Sequence, residues 1–82
     1  MMEERSRTGS FSPLPDATTL GLAIRRARKS QGLTQAALAG LAGTGLRFVS
    51  ELENGKRTVA LGKVMDVLAV LGLRLGVLGD DA

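Results

Sequence analysis

Leu20, Ile24 and Ala27 stand at i, i+4 and i+7 in a run that turns helical at Thr18, a spacing that lays one apolar stripe along a helix. Thr18 or Thr19 is the expected cap, and Gly32 the stop, where a left-handed φ is needed. Thr34 then suits the N-cap of a second, short helix running to Leu41 or Ala42, with Leu38, Leu41 and Ala37 on its buried side. After the break at Ala42-Gly43-Thr44, Thr44 is expected to cap a third helix. Val49, Leu52 and Phe48 face its core, while Leu46, Arg47 and Ser50 lie on the other side. Asn54-Gly55 ends that helix, and a polar loop from Lys56 to Val59 leads to a fourth. There Leu61, Val64, Met65, Leu68 and Leu71 form the stripe, and Gly72 stops it.

Val67 and Val70 are apolar yet lie off that stripe. More apolar surface than one small core covers points to a partner subunit. Leu73 to Leu78 alternates like a strand, but no second strand is predicted for it to pair with. A lone strand is unstable, so the expected solution is pairing with the same segment of a second copy, giving a two-stranded antiparallel ribbon. Val67, Val70, Leu73, Leu75 and Val77 are the expected dimerisation residues. Pairing with the stretch around Phe11 is the rival, disfavoured by Pro13 and Pro15. The chain thus divides into a flexible tail (1–17), a helical domain (18–72) and a dimerisation strand with a short acidic end (73–82).

Composition narrows the chemistry. Eighty-two residues make one domain at most. With no Cys and no His, disulfides, thiolate metal sites and the commonest general base are all excluded. No pair of Asp, Glu, Lys or Ser is brought together by spacing, so an enzyme is rejected and neither cofactor nor metal is expected. The absence of Trp and Tyr argues against base-stacking platforms for single strands. The start of the chain reads as neither a secretory signal nor a membrane span, so a cytoplasmic setting is the default.

The net charge of +3 conceals a basic centre. Residues 17–65 carry eight Lys and Arg against Glu51 and Glu53, a local +6, between ends of −1 and −2. That is the electrostatic footprint of a polyanion binder.

Two short helices joined by a three-residue turn containing Gly form a helix-turn-helix unit, here from Thr34 to Asn54. The segment IRRARKSQGLTQAALAGLAGTGLRFVSELENGKR, with its GLTQ, LA, AG and LENGKR markers, resembles the phage-repressor-like (Xre or Cro/C1-type) DNA-binding domains over roughly residues 20–71. RKSQGLTQ, RFVSELENGKR and the closing VLAVLGLRLGVL resemble, more narrowly, the HipB-like antitoxins. The expected fold is all-α, a compact helix-turn-helix domain of four to five helices, with one short C-terminal β-strand pairing across a homodimer. In that family such a strand follows the fourth helix and pairs between subunits. Its members repress their own operon and bind a HipA-like serine/threonine kinase toxin, so the resemblance implies both partners.

The motif then assigns roles. Thr34 and Gln35 open the second helix, where free amides and the helix dipole favour a phosphate. Thr44, Leu46, Arg47 and Ser50 occupy the start and outer face of the third helix, which enters the major groove in such motifs. Arg47 is the one long donor there and is expected to read guanine O6 and N7. Leu46 offers only an apolar contact and Gly45 offers no side chain, so part of the specificity is assigned to DNA shape. Asn54, Lys56 and Arg57 are placed to hold the phosphate backbone. The resemblance adds Arg28, as a residue near that backbone paired with Glu53. Glu51 reads as a solvated carboxylate, the alternative being a groove-facing residue that accepts from cytosine or rejects phosphate.

The functional expectation is a sequence-specific repressor of double-stranded operator DNA, working as a homodimer and as antitoxin to a HipA-like kinase. The alternatives are a stand-alone or phage-type repressor without a toxin, and a helix-turn-helix adaptor that has lost DNA binding.

Overall fold

The computed structural model describes residues 13–79, and these form four helices. They are α1 (Ala17–Ser30), α2 (Gln35–Ala42), α3 (Leu46–Glu53) and α4 (Leu61–Val70). α2 packs against both α3 and α4, and α1 closes over α3. The expected all-α fold with a helix-turn-helix unit is observed.

Each helix start follows from its local chemistry. Asp16, rather than Thr18 or Thr19, caps α1: its carboxylate accepts from the Thr19 backbone N–H and from the Thr19 hydroxyl, both at 2.8 Å. A carboxylate satisfies the orphan amide and also complements the positive end of the helix, which a threonine hydroxyl does only in part. Thr34 caps α2 as expected, its hydroxyl accepting from Ala37 N–H at 3.0 Å. α2 ends at Gly43, whose φ of 72° lies in the left-handed region that turns the chain into α3.

Ile24, Leu38, Val49 and Val67 are fully buried, and Ala39, Leu52, Val64, Leu68 and Leu71 complete the core. Four residues expected inside are outside: Ala37 is exposed, and Leu41 is 65%, Leu61 62% and Met65 54% exposed. Conversely Val67, expected to meet a partner, has no exposed surface at all. The reason lies in α4 itself, which carries two overlapping apolar stripes. Packing against α2 selects Val64, Val67, Leu68 and Leu71, an i, i+3, i+4, i+7 set, and turns Leu61 and Met65 outward. In α2 the buried positions are Leu38 and Ala39 with Ala42 partly covered, which leaves Leu41 on the flank. Val70 is half-buried against the same core.

Residues 73–79 are exposed and form no secondary structure within the chain. Leu73 and Leu75 fold back beside α4, where with Met65, Leu68, Ala69 and Arg74 they line a groove of about 270 Å³. The tail expected over residues 1–17, including Phe11, lies mostly outside the described residues.

Candidate nucleic-acid interface

The seam between α1 and α3 sets the position of the third helix. A Cβ on Gly21 would stand 2.5 Å from the Leu52 carbonyl oxygen and 2.6 Å from that of Glu53. Both are backbone atoms, so the two helices approach as closely as glycine permits. At the same seam Arg28 reaches Glu53, its Nε donating at 2.6 Å to Oε2 and its Nη2 at 3.0 Å to Oε1. Nη1 donates to the Leu33 carbonyl at 2.9 Å, and Gln35 Nε2 donates to Glu53 Oε1 at 3.0 Å. The buried Glu53 carboxylate therefore ties α1 and the start of α2 to the end of α3, and Arg28 holds the loop after α1 to the same knot.

The electrostatics of this knot follow from opposing effects. Burial pushes the Glu53 carboxyl up, but hydrogen bonds from Arg28 and Gln35, with the charge of Arg28 and more distantly Arg25, hold it below the usual range. The Glu53 hydrogen bond likewise raises Arg28, against the opposing effect of its burial. The Arg28–Glu53 pair expected from the resemblance is present. Arg28 is nevertheless 8% exposed, and three of its guanidinium N–H groups donate inside the chain, which disfavours a phosphate contact in this arrangement.

The outer face of α3 is open. Leu46 is 52% exposed and the Arg47 side chain 91%, while Ser50 is half-buried. Thr44 departs from its expected role. The N-cap of α3 is Gly45, without a side-chain cap, and the Thr44 hydroxyl is buried with no hydrogen-bond partner among the described residues. A hydroxyl closed off in this way neither caps the helix nor meets a base edge. Thr34 stands exposed at the start of α2 with Gln35 half-buried beside it, and Asn54, Lys56 and Arg57 are exposed beyond the end of α3.

Glu51, read from the sequence as a solvated carboxylate, instead joins two of these cations. Its Oε2 accepts from Arg47 Nε at 3.3 Å and its Oε1 from Lys56 Nζ at 3.2 Å. The Lys56 hydrogen bond is the main influence holding its carboxyl below the usual range, with Arg47 adding to it. The i, i+4 spacing of Arg47 and Glu51 signals half of this arrangement in the sequence. The Lys56 contact, made across the end of the helix, carries no such signal. On the core side Lys63 lies 5.8 Å from the centroid of the Phe48 ring.

An exposed helix face, preceded by a left-handed glycine turn and flanked by cations, defines a helix-turn-helix recognition unit. Residues 24–78 match the family described as "Helix-turn-helix", and the chain belongs to that family. It is 49% identical over 59 residues to the HTH-type transcriptional regulator y4mF of Sinorhizobium fredii, a match covering 72% of this chain and 78% of that protein. Among solved structures it is similar to a chain of the HipA-HipB-O2-O3 complex, with a TM-score of 0.77 and 26% identity over 85% of this chain and 99% of the other. The restriction-modification controller protein C.AhdI of Aeromonas hydrophila gives a TM-score of 0.65 at 30% identity, covering 72% and 86%. Among the described residues no helix is long and apolar enough to cross a membrane.

Proposed function

We propose that this helix-turn-helix transcriptional regulator is a repressor that binds double-stranded operator DNA as a homodimer and reads it with the outer face of α3. The observation that carries the reading is Arg47: a long donor on the third helix, 91% exposed, with Leu46 and Ser50 beside it on that helix and with Asn54, Lys56 and Arg57 exposed beyond its end. Arg47 reads a guanine, Leu46 meets a thymine methyl, and Thr34, Gln35, Asn54, Lys56 and Arg57 hold phosphates. A dimer sets two α3 helices in successive major grooves about 34 Å apart, blocking access to the promoter.

Arg47→Ala is expected to cost about 1–3 kcal/mol on the operator and to relax the preference at one base pair per half-site. Arg57→Ala is expected to weaken all sequences alike and to make the dependence of log K on log salt shallower by about one. Gel-shift titrations with the DNA upstream of the gene and with random DNA, at two salt concentrations, measure both. Equal losses for both variants on both DNAs would sink this division of labour, and binding abolished by random competitor would favour the adaptor reading.

The dimer uses Leu73, Leu75 and Val77 of the C-terminal segment, which are 37%, 42% and 97% exposed, with Val70 at its edge. The family match reaches residue 78 and so takes in this segment. Deleting residues 73–78 should shift the chain from dimer to monomer in analytical ultracentrifugation; a truncated chain that still sediments as a dimer removes the segment from the interface.

The likeness to a chain of the HipA-HipB-O2-O3 complex favours one finer reading, that this chain is also the antitoxin of a HipA-like kinase. A kinase gene directly beside its own, and co-purification of the two products, test it. A neighbourhood without such a gene leaves a stand-alone repressor.

A further inference from the structure

Glu51 is an acidic side chain on a face that the proposed function turns toward phosphates. An exposed ion pair of this kind contributes little to stability, so its place there calls for another account. The geometry supplies one. Each carboxylate oxygen takes one cation, Oε2 from Arg47 Nε at 3.3 Å and Oε1 from Lys56 Nζ at 3.2 Å. Arg47 is held through Nε alone, and its two terminal nitrogens make no hydrogen bond among the described residues. Those terminal nitrogens form the planar fork that matches guanine O6 and N7.

We propose that Glu51 is a specificity-determining positioning residue, which fixes the direction of the Arg47 fork and masks Lys56 and Arg47 from indiscriminate phosphate contact. The inference rests on the DNA-reading role proposed for α3. Without Glu51, a 91% exposed arginine on one turn of helix is free to swing onto the nearest phosphate, and Lys56 is free to do the same. Attraction to any duplex then rises while discrimination falls. Fixing the side chain beforehand removes part of the ordering cost of reading a base, and the carboxylate disfavours every register that brings it against a phosphate.

The test is selection of a binding motif from a pool of random duplexes by the full-length chain. Wild type, Arg47→Ala, Glu51→Ala and Glu51→Gln are compared, and affinity for bulk random DNA is measured at two salt concentrations. Wild type should enrich a motif with a guanine preferred roughly five- to a hundredfold, and Arg47→Ala should lose that preference. Glu51→Ala should lose it at the same base pair while binding random DNA about threefold to tenfold more tightly, with a salt slope steeper by about one. Glu51→Gln keeps an acceptor for Arg47 Nε and so should restore part of the preference. A merely structural role for Glu51 would not relocate the loss to the Arg47 base pair. If Glu51→Ala keeps the wild-type motif while Arg47→Ala loses it, the inference is overturned and the DNA-reading role stands. If wild type enriches no motif, the DNA-reading role fails and the inference falls with it.

Discussion

Gly21→Ala is expected to lower the unfolding free energy by about 2 kcal/mol or more, although alanine is the better helix former. Ala gains about 1 kcal/mol over Gly in a helix interior, and that gain is the whole of the local effect. Against it stands a methyl group 2.5 Å from one backbone oxygen of α3 and 2.6 Å from the next. Neither can rotate away as a side chain would, so the helices must separate by the better part of an ångström. Overpacking of a well-filled seam costs about 1–3 kcal/mol, and rigid backbone on the far side puts this case at the upper end or beyond it. Separation also stretches the Arg28–Glu53 hydrogen bonds at 2.6 and 3.0 Å, which span the same seam. A small domain has only about 5–15 kcal/mol in total, so the thermal midpoint should fall by several degrees at least. Circular dichroism on the variant measures this, and an unchanged or raised midpoint would mean that α1 does not pack on α3 as closely as described.

The sequence announces Gly21 only indirectly. A glycine in the middle of an amphipathic helix carries a propensity cost, and such a residue marks either a defect or a close approach. Nothing local says which, because the carbonyls it meets lie some thirty positions further along the chain. The same division runs through the whole fold. Helix existence and order were legible from apolar spacing, and the Thr34 cap from its residue type, since both depend on neighbours within one or two turns. The orientation of α4 was not. Leu61, Met65 and Val67 are all apolar, and only the register against α2 decides that Val67 is buried while the other two face out. At the site, the exposed outer face of α3 was legible because the helix-turn-helix motif fixes its direction. The commitment of Arg28 to the interior and the closure of the Thr44 hydroxyl depend on contacts across the fold that spacing does not encode.

Arg28→Ala is expected to cost about 3–5 kcal/mol at neutral pH, because it leaves the Glu53 carboxylate buried with Gln35 as its sole remaining side-chain partner among the described residues. The loss should depend on pH in a definite sense. With Arg28 present the Glu53 carboxyl is held below the usual glutamate range, so its contribution to stability is complete above that range and disappears as pH falls through the depressed value. Without Arg28, burial is opposed only by the Gln35 hydrogen bond and weaker charges, and the carboxyl rises and protonates earlier. Urea midpoints at about pH 7 and about pH 3 should therefore differ widely between wild type and variant in the first case and much less in the second. A deficit that stays constant with pH would mean that Arg28 acts by packing its stem rather than by compensating the charge. The double variant Arg28→Met with Glu53→Leu, which removes both charges and keeps the volume, should recover most of the stability. It also separates the two roles assigned to this arginine. Three of the five guanidinium N–H groups are spent on Glu53 and the Leu33 carbonyl and the residue is 8% exposed, so the refolded double variant should keep the wild-type salt slope on random duplex. A slope shallower by about one would return Arg28 to the phosphate contacts, and would mean that the buried pair opens when the protein meets DNA.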